Sequence, residues 1–264
     1  GVLRGTVPQY ERGAYLVKFI ATNTNTQVET SGYYPLYFGA PTATVSSTPF
    51  ADPNPGVSNR FGETIFPLAT GNVLVTAPGA FEGKGAIYLF NGFTGSVIST
   101  LVGSTKDDFQ SPSMSQLGNG NVVITLSRWD NGPVVDAGAA IFVDGSTGWG
   151  LGQTSPAIIS ASNALIGSKT NDLLYTRISR FSVGNNYLVA TPYWDNGTAT
   201  DAGAVTWGSG ISGVSGIIGE QISLVGATKS DGVGLSFGSL ANGNMVMSSS
   251  FWDNGTAIDA GAVT

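Results

Sequence analysis

The sequence predicts an all-β fold built from tandem repeats. A long motif recurs three times, the apolar residues within it alternate with polar ones, and glycine and asparagine separate the alternating segments. Glycine supplies 38 of the 264 residues, about twice the ordinary share of roughly 7%. This excess lacks the three-residue period of collagen and therefore indicates turns between short strands.

The motif runs from an asparagine through Trp-Asp-Asn-Gly to Asp-Ala-Gly-Ala, and it occupies residues 121–139, 186–204 and 244–262. In each copy the tryptophan lies eight residues after the first asparagine, and the second aspartate lies seven residues after the tryptophan. The distance between copies varies, so the insertions fall outside the motif. Fixed internal spacing with variable linkers indicates duplication of one structural unit.

A shorter anchor of the form Leu-x-Gly precedes each copy, at residues 101–103, 165–167 and 224–226. An earlier, divergent unit keeps the strand pattern but is four residues shorter where the other units carry Asp-Asn-Gly and the second aspartate. The extra residues are therefore predicted to form a loop on a scaffold that stands without it. The four units are expected near residues 50–100, 101–164, 165–223 and 224–264.

Each unit is predicted to contain about four short strands. Val122, Ile124 and Leu126 alternate along one such strand, and Asn-Gly provides a turn because both residues tolerate positive φ. Four strands in a unit of roughly 50–65 residues, without a helical apolar period, fit a β-propeller blade better than a solenoid coil. The sequence therefore predicts a β-propeller-like domain of about four four-stranded blades, with a stack of β-sandwiches as the alternative.

Residues 1–49 are predicted to be an extended N-terminal segment ahead of the repeat domain, residues 50–264. Residues 13–28 resemble the third and fourth strands of a unit, whereas the fourth unit lacks its last strand within this sequence. Three arrangements are open: the segment closes a ring by completing the fourth blade of its own molecule, it completes the last blade of a neighbour in a head-to-tail polymer, or the chain is a fragment of a longer array. The strand-donating residues are Gly13, Ala14, Tyr15, Leu16, Val17 and Phe19.

The composition excludes several classes of chemistry. The sequence has neither Cys nor His, which removes disulfides, zinc–thiolate sites, thiolate nucleophiles and imidazole bases. A net charge of −6 with 11 dispersed Lys and Arg argues against a nucleic-acid partner, and no apolar run is long enough to span a membrane as a helix. The repeated aspartates belong to a multiplied loop, whereas an active site is usually built once. We therefore expect no enzymatic activity; a glycosidase would need a cleft with two carboxylates about 5–9.5 Å apart.

The Asp-Asn-Gly-x-x-x-Asp loop is the most conspicuous polar feature of the repeat. Two carboxylates brought together across a turn, with asparagine and backbone oxygens, are candidate ligands of calcium. Asp and Asn also shape turns by accepting hydrogen bonds from nearby backbone N–H groups, and two carboxylates are few for an ion that prefers six to eight oxygens. The turn interpretation is favoured, and no cofactor is otherwise expected. The candidate ligands are Asp130, Asp136, Asp195, Asp201, Asp253 and Asp259.

The five tryptophans divide into two groups. Trp129, Trp194 and Trp252 end an alternating strand in every motif, which favours packing between neighbouring blades over stacking on sugar rings. Trp149 and Trp207 lie outside the motif and are therefore the candidates for a ligand-binding surface.

The Trp-Asp-Asn-Gly-x-x-x-Asp-Ala-Gly-Ala unit resembles an uncharacterised family of bacterial repeats that occur in tandem in very large secreted or surface proteins, often adhesins. The divergent unit, with Phe61-Gly and a later Gly85-Ala-Ile-Tyr-Leu-Phe, resembles the FG-GAP blades of integrin-like propellers. It departs from them in lacking the Asp-x-Asp-x-Asp-Gly calcium loop. Together the resemblances cover about residues 55–264 and imply a bacterial, extracellular, structural or adhesive protein.

From these observations we expect an extracellular structural or adhesive repeat protein of a bacterial surface. Head-to-tail self-assembly by strand complementation is one of the three open arrangements. The protein's expected partners are further copies of itself and surface glycans. The alternative function is that of a glycan-binding, lectin-like propeller.

Overall fold

Every regular element that the structure describes is a β-strand, which confirms the predicted fold class. The structure is a computed structural model that describes residues 13–22, 29–38, 50–149, 156–181 and 184–264. The chain divides into two bodies, Gly1–Thr48 and Pro49–Thr264. Within the described ranges, no helix has the length and apolar character needed to cross a membrane.

The N-terminal body contains one two-stranded sheet. Strand β1 (Gly13–Thr22) pairs antiparallel with β2 (Glu29–Phe38) along the full ten residues of each strand. The predicted strand-donating residues therefore lie in β1, while residues 23–28 lie outside the described part of the chain. Pairing of β1 with a strand of the fourth repeat, in its own or a neighbouring molecule, stays a prediction.

The C-terminal body contains one sheet for each predicted repeat, and the main strands of each sheet are antiparallel. Repeats 1 to 3 have four main strands each, and three strands of repeat 4 lie within the 264 residues. Repeat 1 comprises β3 (Ile65–Pro67), β4 (Val73–Ala77), β5 (Ala86–Phe90) and β6 (Val97–Val102). Repeat 2 comprises β7 (Ser113–Gln116), β8 (Val122–Leu126), β9 (Ala139–Asp144) with the short β10 (Gly148–Trp149) beside it, β11 (Ala157–Ile158) and β12 (Ala164–Ile166). Repeat 3 comprises β13 (Arg177–Arg180), β14 (Tyr187–Thr191), β15 (Ala204–Gly208), β16 (Gly216–Ile217) and β17 (Ser223–Val225). Repeat 4 comprises β18 (Ser236–Ser239), β19 (Met245–Ser249) and β20 (Ala262–Val263).

Consecutive repeats also share backbone hydrogen bonds. Strand β11 of repeat 2 pairs in parallel with β6, the last strand of repeat 1. Strand β16 of repeat 3 pairs in the same way with β12, the last strand of repeat 2. Each of these last strands is thus covered by a segment of the repeat that follows it, which protects an edge that would otherwise be open to pairing with another chain.

The sheets pack face to face through cores that two neighbouring repeats build together. Ile124 contributes to the core between repeats 1 and 2, whereas its neighbour Val123 faces the core between repeats 2 and 3. The alternation predicted for this strand is therefore confirmed, but both of its faces are buried because the sheet lies between two others. Four sheets stacked in chain order match the predicted blade-like repeats, and ring closure stays a prediction.

The Leu-x-Gly anchor belongs to two repeats at once. Leu101 and Val102 form the end of β6 in the sheet of repeat 1, and the turn into repeat 2 starts at Gly103. The same holds for the other two anchors, so each lies at the end of a sheet where the sequence pattern suggested a beginning. The apolar pair extends the sheet. The next position requires glycine because a Cβ on Gly103 would lie 2.2 Å from the Lys84 carbonyl oxygen.

Candidate functional site

The Asp-Asn-Gly loops are closed by their own aspartates. In repeat 2 the backbone N–H of Asp136 donates to Oδ1 of Asp130 at 2.8 Å, and Asp136 has a left-handed φ of 54°. Repeats 3 and 4 reproduce this bond between Asp201 and Asp195 and between Asp259 and Asp253. The loops therefore use the aspartates as turn residues, as the favoured interpretation predicted.

These loops do not fit a calcium ion well. Oδ1 of Asp130 accepts the N–H of Asp136. The Thr105 hydroxyl lies 2.9 Å from Oδ2 of Asp130 and 2.7 Å from Oδ1 of Asp108, and it can donate its one proton to either carboxylate. Across the described ranges, no group of three or more acidic side chains comes together in a way that could hold a metal. Calcium binding by these loops remains an untested prediction that the donor arrangement does not favour.

A second series of aspartates, which was not predicted from the sequence, accepts hydrogen bonds from the turn that follows each Leu-x-Gly anchor. Asp108, Asp172 and Asp231 are fully buried, and each lies five residues after the glycine of a Leu-x-Gly anchor. Oδ2 of Asp108 accepts the backbone N–H groups of Ser104 at 2.6 Å and Thr105 at 2.8 Å. The constant spacing of glycine and aspartate in all three anchors is the signal that could have revealed this series.

The buried aspartate also holds the Asp-Asn-Gly loop of its own repeat. Oδ1 of Asp108 accepts the N–H of Asp130 at 3.2 Å, and Asp172 and Asp231 make the same bond to Asp195 and Asp253. One carboxylate thus ties the entry turn to a loop more than twenty residues away. Such a bond is strong because its acceptor is charged and sheltered from water.

The surroundings of the buried aspartates change along the array. Burial raises the pKa of Asp172 above its ordinary value, against the opposing effect of hydrogen bonds from Ser168, Lys169 and Asp195. Burial also acts to raise the pKa of Asp231, but there the hydrogen bonds, led by the Thr228 hydroxyl, outweigh it and the pKa is lowered. Lys169 occupies the position of Thr228 in repeat 3, so Asp172 lacks the 2.6 Å hydroxyl hydrogen bond that Asp231 accepts.

The asparagines of the Asp-Asn-Gly loops in repeats 2 and 3 each bond to the anchor of the following repeat. Asn131 of repeat 2 donates through Nδ2 to the carbonyl oxygen of Gly167 at 2.9 Å, and Asn196 of repeat 3 donates to that of Gly226 at 2.9 Å. Both acceptors are anchor glycines at the entry of the next repeat. The side-chain amide of Asn254 in repeat 4 has no hydrogen-bond partner within the ranges described.

A second asparagine series links the repeats at the turn before each second strand. Asn72 donates to the Gly145 carbonyl of repeat 2 at 2.8 Å, and Asn121 donates to the Gly210 carbonyl of repeat 3 at 2.9 Å. Asn121 also accepts the N–H of Gly145 in its own repeat at 3.0 Å. We call these two series of inter-repeat bonds, from Asn131 and Asn196 and from Asn72 and Asn121, the asparagine ladders.

The glycine of Asp-Ala-Gly-Ala, like Gly85 at the corresponding position of repeat 1, allows neighbouring repeats to approach closely. A Cβ on Gly85 would lie 2.5 Å from the Phe109 Cβ, and one on Gly138 would lie 2.5 Å from the Leu173 Cβ. Both glycines also have positive φ, 81° and 79°. The backbone conformation and the space available thus both require glycine here.

The comparison with protein families matches the same part of the chain. A family described as a repeat of unknown function (DUF5650) matches residues 116–175, 183–235 and 239–264, which together make up just over half of the chain. The chain belongs to this family. A search of curated proteins found no match.

Each of the first two DUF5650 matches contains the later strands of one repeat and the entry turn of the next repeat. The match over residues 116–175 starts in the sheet of repeat 2 and extends through the anchor of repeat 3 to its buried Asp172. The match over residues 183–235 reaches Asp231 in the same way. A DUF5650 repeat in this chain therefore contains both partners of the Asn131–Gly167 and Asn196–Gly226 contacts.

The motif tryptophans of the DUF5650 repeats pack between sheets, as predicted. Trp129 and Trp194 are buried in the cores of repeats 1–2 and 2–3. Trp252 in repeat 4 is only partly buried.

The two tryptophans predicted to face a ligand have different environments. Trp149 is buried in the core between repeats 1 and 2, so the expectation that its ring lies on a binding surface is wrong; the short strand β10 turns it inward. Trp207 is 52% exposed, but Phe142, at the corresponding position of repeat 2, is only 7% exposed. Phe142 is covered by Gly213 of the following repeat. Trp207 is therefore an inter-repeat packing position that is left uncovered here, and ligand binding by it stays a prediction.

The face of repeat 3 around Trp207 exposes residues that are internal elsewhere. Leu224 in β17 is 46% exposed, whereas its counterparts Leu101 and Leu165 are 1% and 0% exposed. Those two leucines lie in strands covered by β11 and β16. We call the surface formed by Trp207 and β17 on repeat 3 the end face.

Proposed function

We propose that this chain is an architectural and adhesive module of an extracellular bacterial repeat protein, and that its end face receives further repeat structure in head-to-tail assembly. The observation that carries the proposal is the end face, where Trp207 and Leu224 are exposed at positions that are buried between repeats elsewhere. The bacterial and extracellular setting is supported by the resemblance of the motif to tandem surface repeats. No catalytic role is part of the proposal.

The asparagine ladders support addition of a further repeat. Each interior junction uses backbone pairing, a shared core and side-chain amides that donate to glycine carbonyls. Among the described residues, the end face offers two of these elements without a partner, the free edge of β17 and the exposed Trp207. Asn254 of repeat 4 occupies the loop position from which Asn131 and Asn196 donate to the next anchor glycine. In a heterologous contact, one surface of a molecule binds a different surface of the next. Such contacts add molecules in an open chain unless the rotation between neighbours closes the chain into a ring.

Assembly is expected to depend on concentration and on the end face. The purified chain should show light-scattering masses that rise above the 27.0 kDa monomer with concentration, and linear particles in negative-stain micrographs. The double variant Trp207→Glu/Leu224→Glu should remain monomeric because it places two charges in a surface that must become dry. Phe93→Ser is the control, since Phe93 is 90% exposed on a turn of repeat 1 and should not affect assembly.

Deletion of residues 1–30 then identifies the donor of the added strand. If β1 is donated to the neighbour, the truncated chain stays folded and monomeric while retaining an exposed end face. Polymerisation of the truncated chain at the wild-type concentration would show that another segment occupies the end face. A monomeric wild-type chain throughout the concentration series would contradict head-to-tail assembly.

A further inference from the structure

Two exposed tyrosines form an aromatic pair on repeat 3. The antiparallel hairpin of β13 and β14 places residue 175, two before β13, near residue 193, two after β14. The rings of Tyr175 and Tyr193 lie 5.6 Å apart between centroids at an interplanar angle of 57°. Tyr175 is 69% exposed and Tyr193 is 42% exposed, so both rings present surface to solvent.

The repeat architecture does not require this pair. The residue three positions after the buried aspartate is Ser111 in repeat 2 and Gly234 in repeat 4, and the residue before the motif tryptophan is Arg128 or Phe251. Neither of those repeats therefore has two aromatic side chains at these positions. The pair distinguishes repeat 3 from its neighbours.

The backbone of Tyr175 is strained. Its φ is 57°, in the left-handed region that bulky side chains rarely adopt, and the corresponding Ser111 and Gly234 also have positive φ. The repeat demands this conformation, and glycine is the residue that adopts it without cost. A large exposed ring kept in a strained conformation, where burial offers little compensation, is typical of a functional surface.

We propose that Tyr175 and Tyr193 bind a neutral carbohydrate through the C–H face of a hexopyranose ring. Tyrosine combines an apolar face, on which the C–H face of a sugar ring can stack, with a hydroxyl that bonds at its wet edge. Neither tyrosine hydroxyl has a protein partner in the part of the chain that the structure describes, which leaves both for sugar hydroxyls. Nucleic-acid bases also stack on tyrosine, but the chain has a net charge of −6 and only 11 dispersed Lys and Arg, which disfavours a polyanion.

This inference supplies a ligand for the adhesive role proposed above and rests on that role for its biological meaning. The proposed site is separate from the end face, because the two tyrosines lie beyond the Thr191 end of β14, whereas Trp207 pairs with Leu188 near the other end of that strand. Binding can therefore be measured with the assembly-deficient Trp207→Glu/Leu224→Glu chain, so that failure of either proposal is seen separately.

The test is titration calorimetry of cellotetraose and chitotetraose into the wild-type chain and into Tyr175→Gly and Tyr193→Ser. Wild type should bind at least one of the two oligosaccharides, and each variant should weaken binding at least ~10-fold, which corresponds to about 1.4 kcal/mol. Tyr175→Gly should leave the thermal midpoint unchanged or raise it, because glycine relieves the positive φ. A residue with a purely structural role would instead lower the midpoint when replaced.

Phe251→Ser is the matched control, since Phe251 occupies the position of Tyr193 in repeat 4 and is 51% exposed. It should bind the oligosaccharide with wild-type affinity. The proposal is overturned if wild type binds neither oligosaccharide at millimolar concentration, or if Tyr175→Gly binds as wild type does. Loss of binding only on replacing Trp207 would assign the site to the end face. Preferential binding of a single-stranded oligothymidylate would make the tyrosine pair a base-stacking surface. Either outcome would also overturn the carbohydrate proposal.

Discussion

Replacement of Gly138 by alanine is expected to lower the free energy of unfolding by about 3 kcal/mol or more. Alanine at a φ of 79° costs about 1–2 kcal/mol, and its Cβ would lie 2.5 Å from the Leu173 Cβ of the next repeat. The new methyl group cannot turn away from Leu173 easily, because the backbone oxygen of Leu126 lies only 3.3 Å from it. Movement of repeat 3 away from repeat 2 is therefore the main way to relieve the clash. Urea denaturation followed by tryptophan fluorescence measures the change.

Gly132→Ala is the control for Gly138→Ala. Gly132 lies in the Asp-Asn-Gly loop of the same repeat and has a φ of 60°, and a Cβ at this position would have no atom within 4 Å. Gly132→Ala should lower the free energy of unfolding only by the cost of placing alanine at positive φ, about 1–2 kcal/mol. Equal losses for the two variants would show that close approach of the repeats contributes nothing to stability and would contradict the role of Gly138 at the junction.

Replacement of Asp108 by alanine is expected to cost about 3 kcal/mol or more. The carboxylate accepts three backbone N–H groups, from Ser104, Thr105 and Asp130, at a site with no solvent exposure. Each buried N–H group that loses its partner costs about 1–3 kcal/mol. Asp108→Asn, which keeps one acceptor oxygen, should fall between wild type and Asp108→Ala.

The control for Asp108 is its exposed neighbour. Asp107→Asn introduces the residue found at the corresponding position 171 of repeat 3, where φ is 68° compared with 70° at Asp107. Its free energy of unfolding should stay within about 0.5 kcal/mol of that of wild type. Amide hydrogen exchange adds a local readout: Asp108→Ala should increase exchange at Asp130, which loses its acceptor, while Asp107→Asn should not. Unchanged protection of Asp130 in Asp108→Ala would contradict the link between entry turn and loop.

The strands and turns within each repeat could be predicted from the sequence. The alternation of Val122, Ile124 and Leu126 predicted a strand, and Asp-Asn-Gly predicted a turn; both occur in the structure. Burial of Trp129 and Trp194 followed from their constant place at the end of a strand. These properties repeat within each unit, so a single sequence with three copies already reveals them.

The candidate site was predicted less well because its contacts join distant parts of the chain. Asp108 had a detectable spacing, but nothing in the sequence tells which turn asparagine donates to another repeat, as Asn131 does to Gly167. Tyr175 and Tyr193 were not recognised because their pairing depends on the register of β13 and β14. Trp149 was wrongly predicted to lie on a surface, because its burial depends on the short strand β10, which the sequence pattern does not reveal.

The sequence by itself determined the all-β class, the repeat and its turns, because side-chain alternation and positive φ are properties of a few consecutive residues. The tertiary structure decided how the repeats join and which residues they leave exposed. Phe142 and Trp207 occupy the same position in successive repeats, yet one is buried and the other half exposed. Their difference arises because burial depends on the neighbouring sheet that covers a residue, and local sequence does not specify that neighbour.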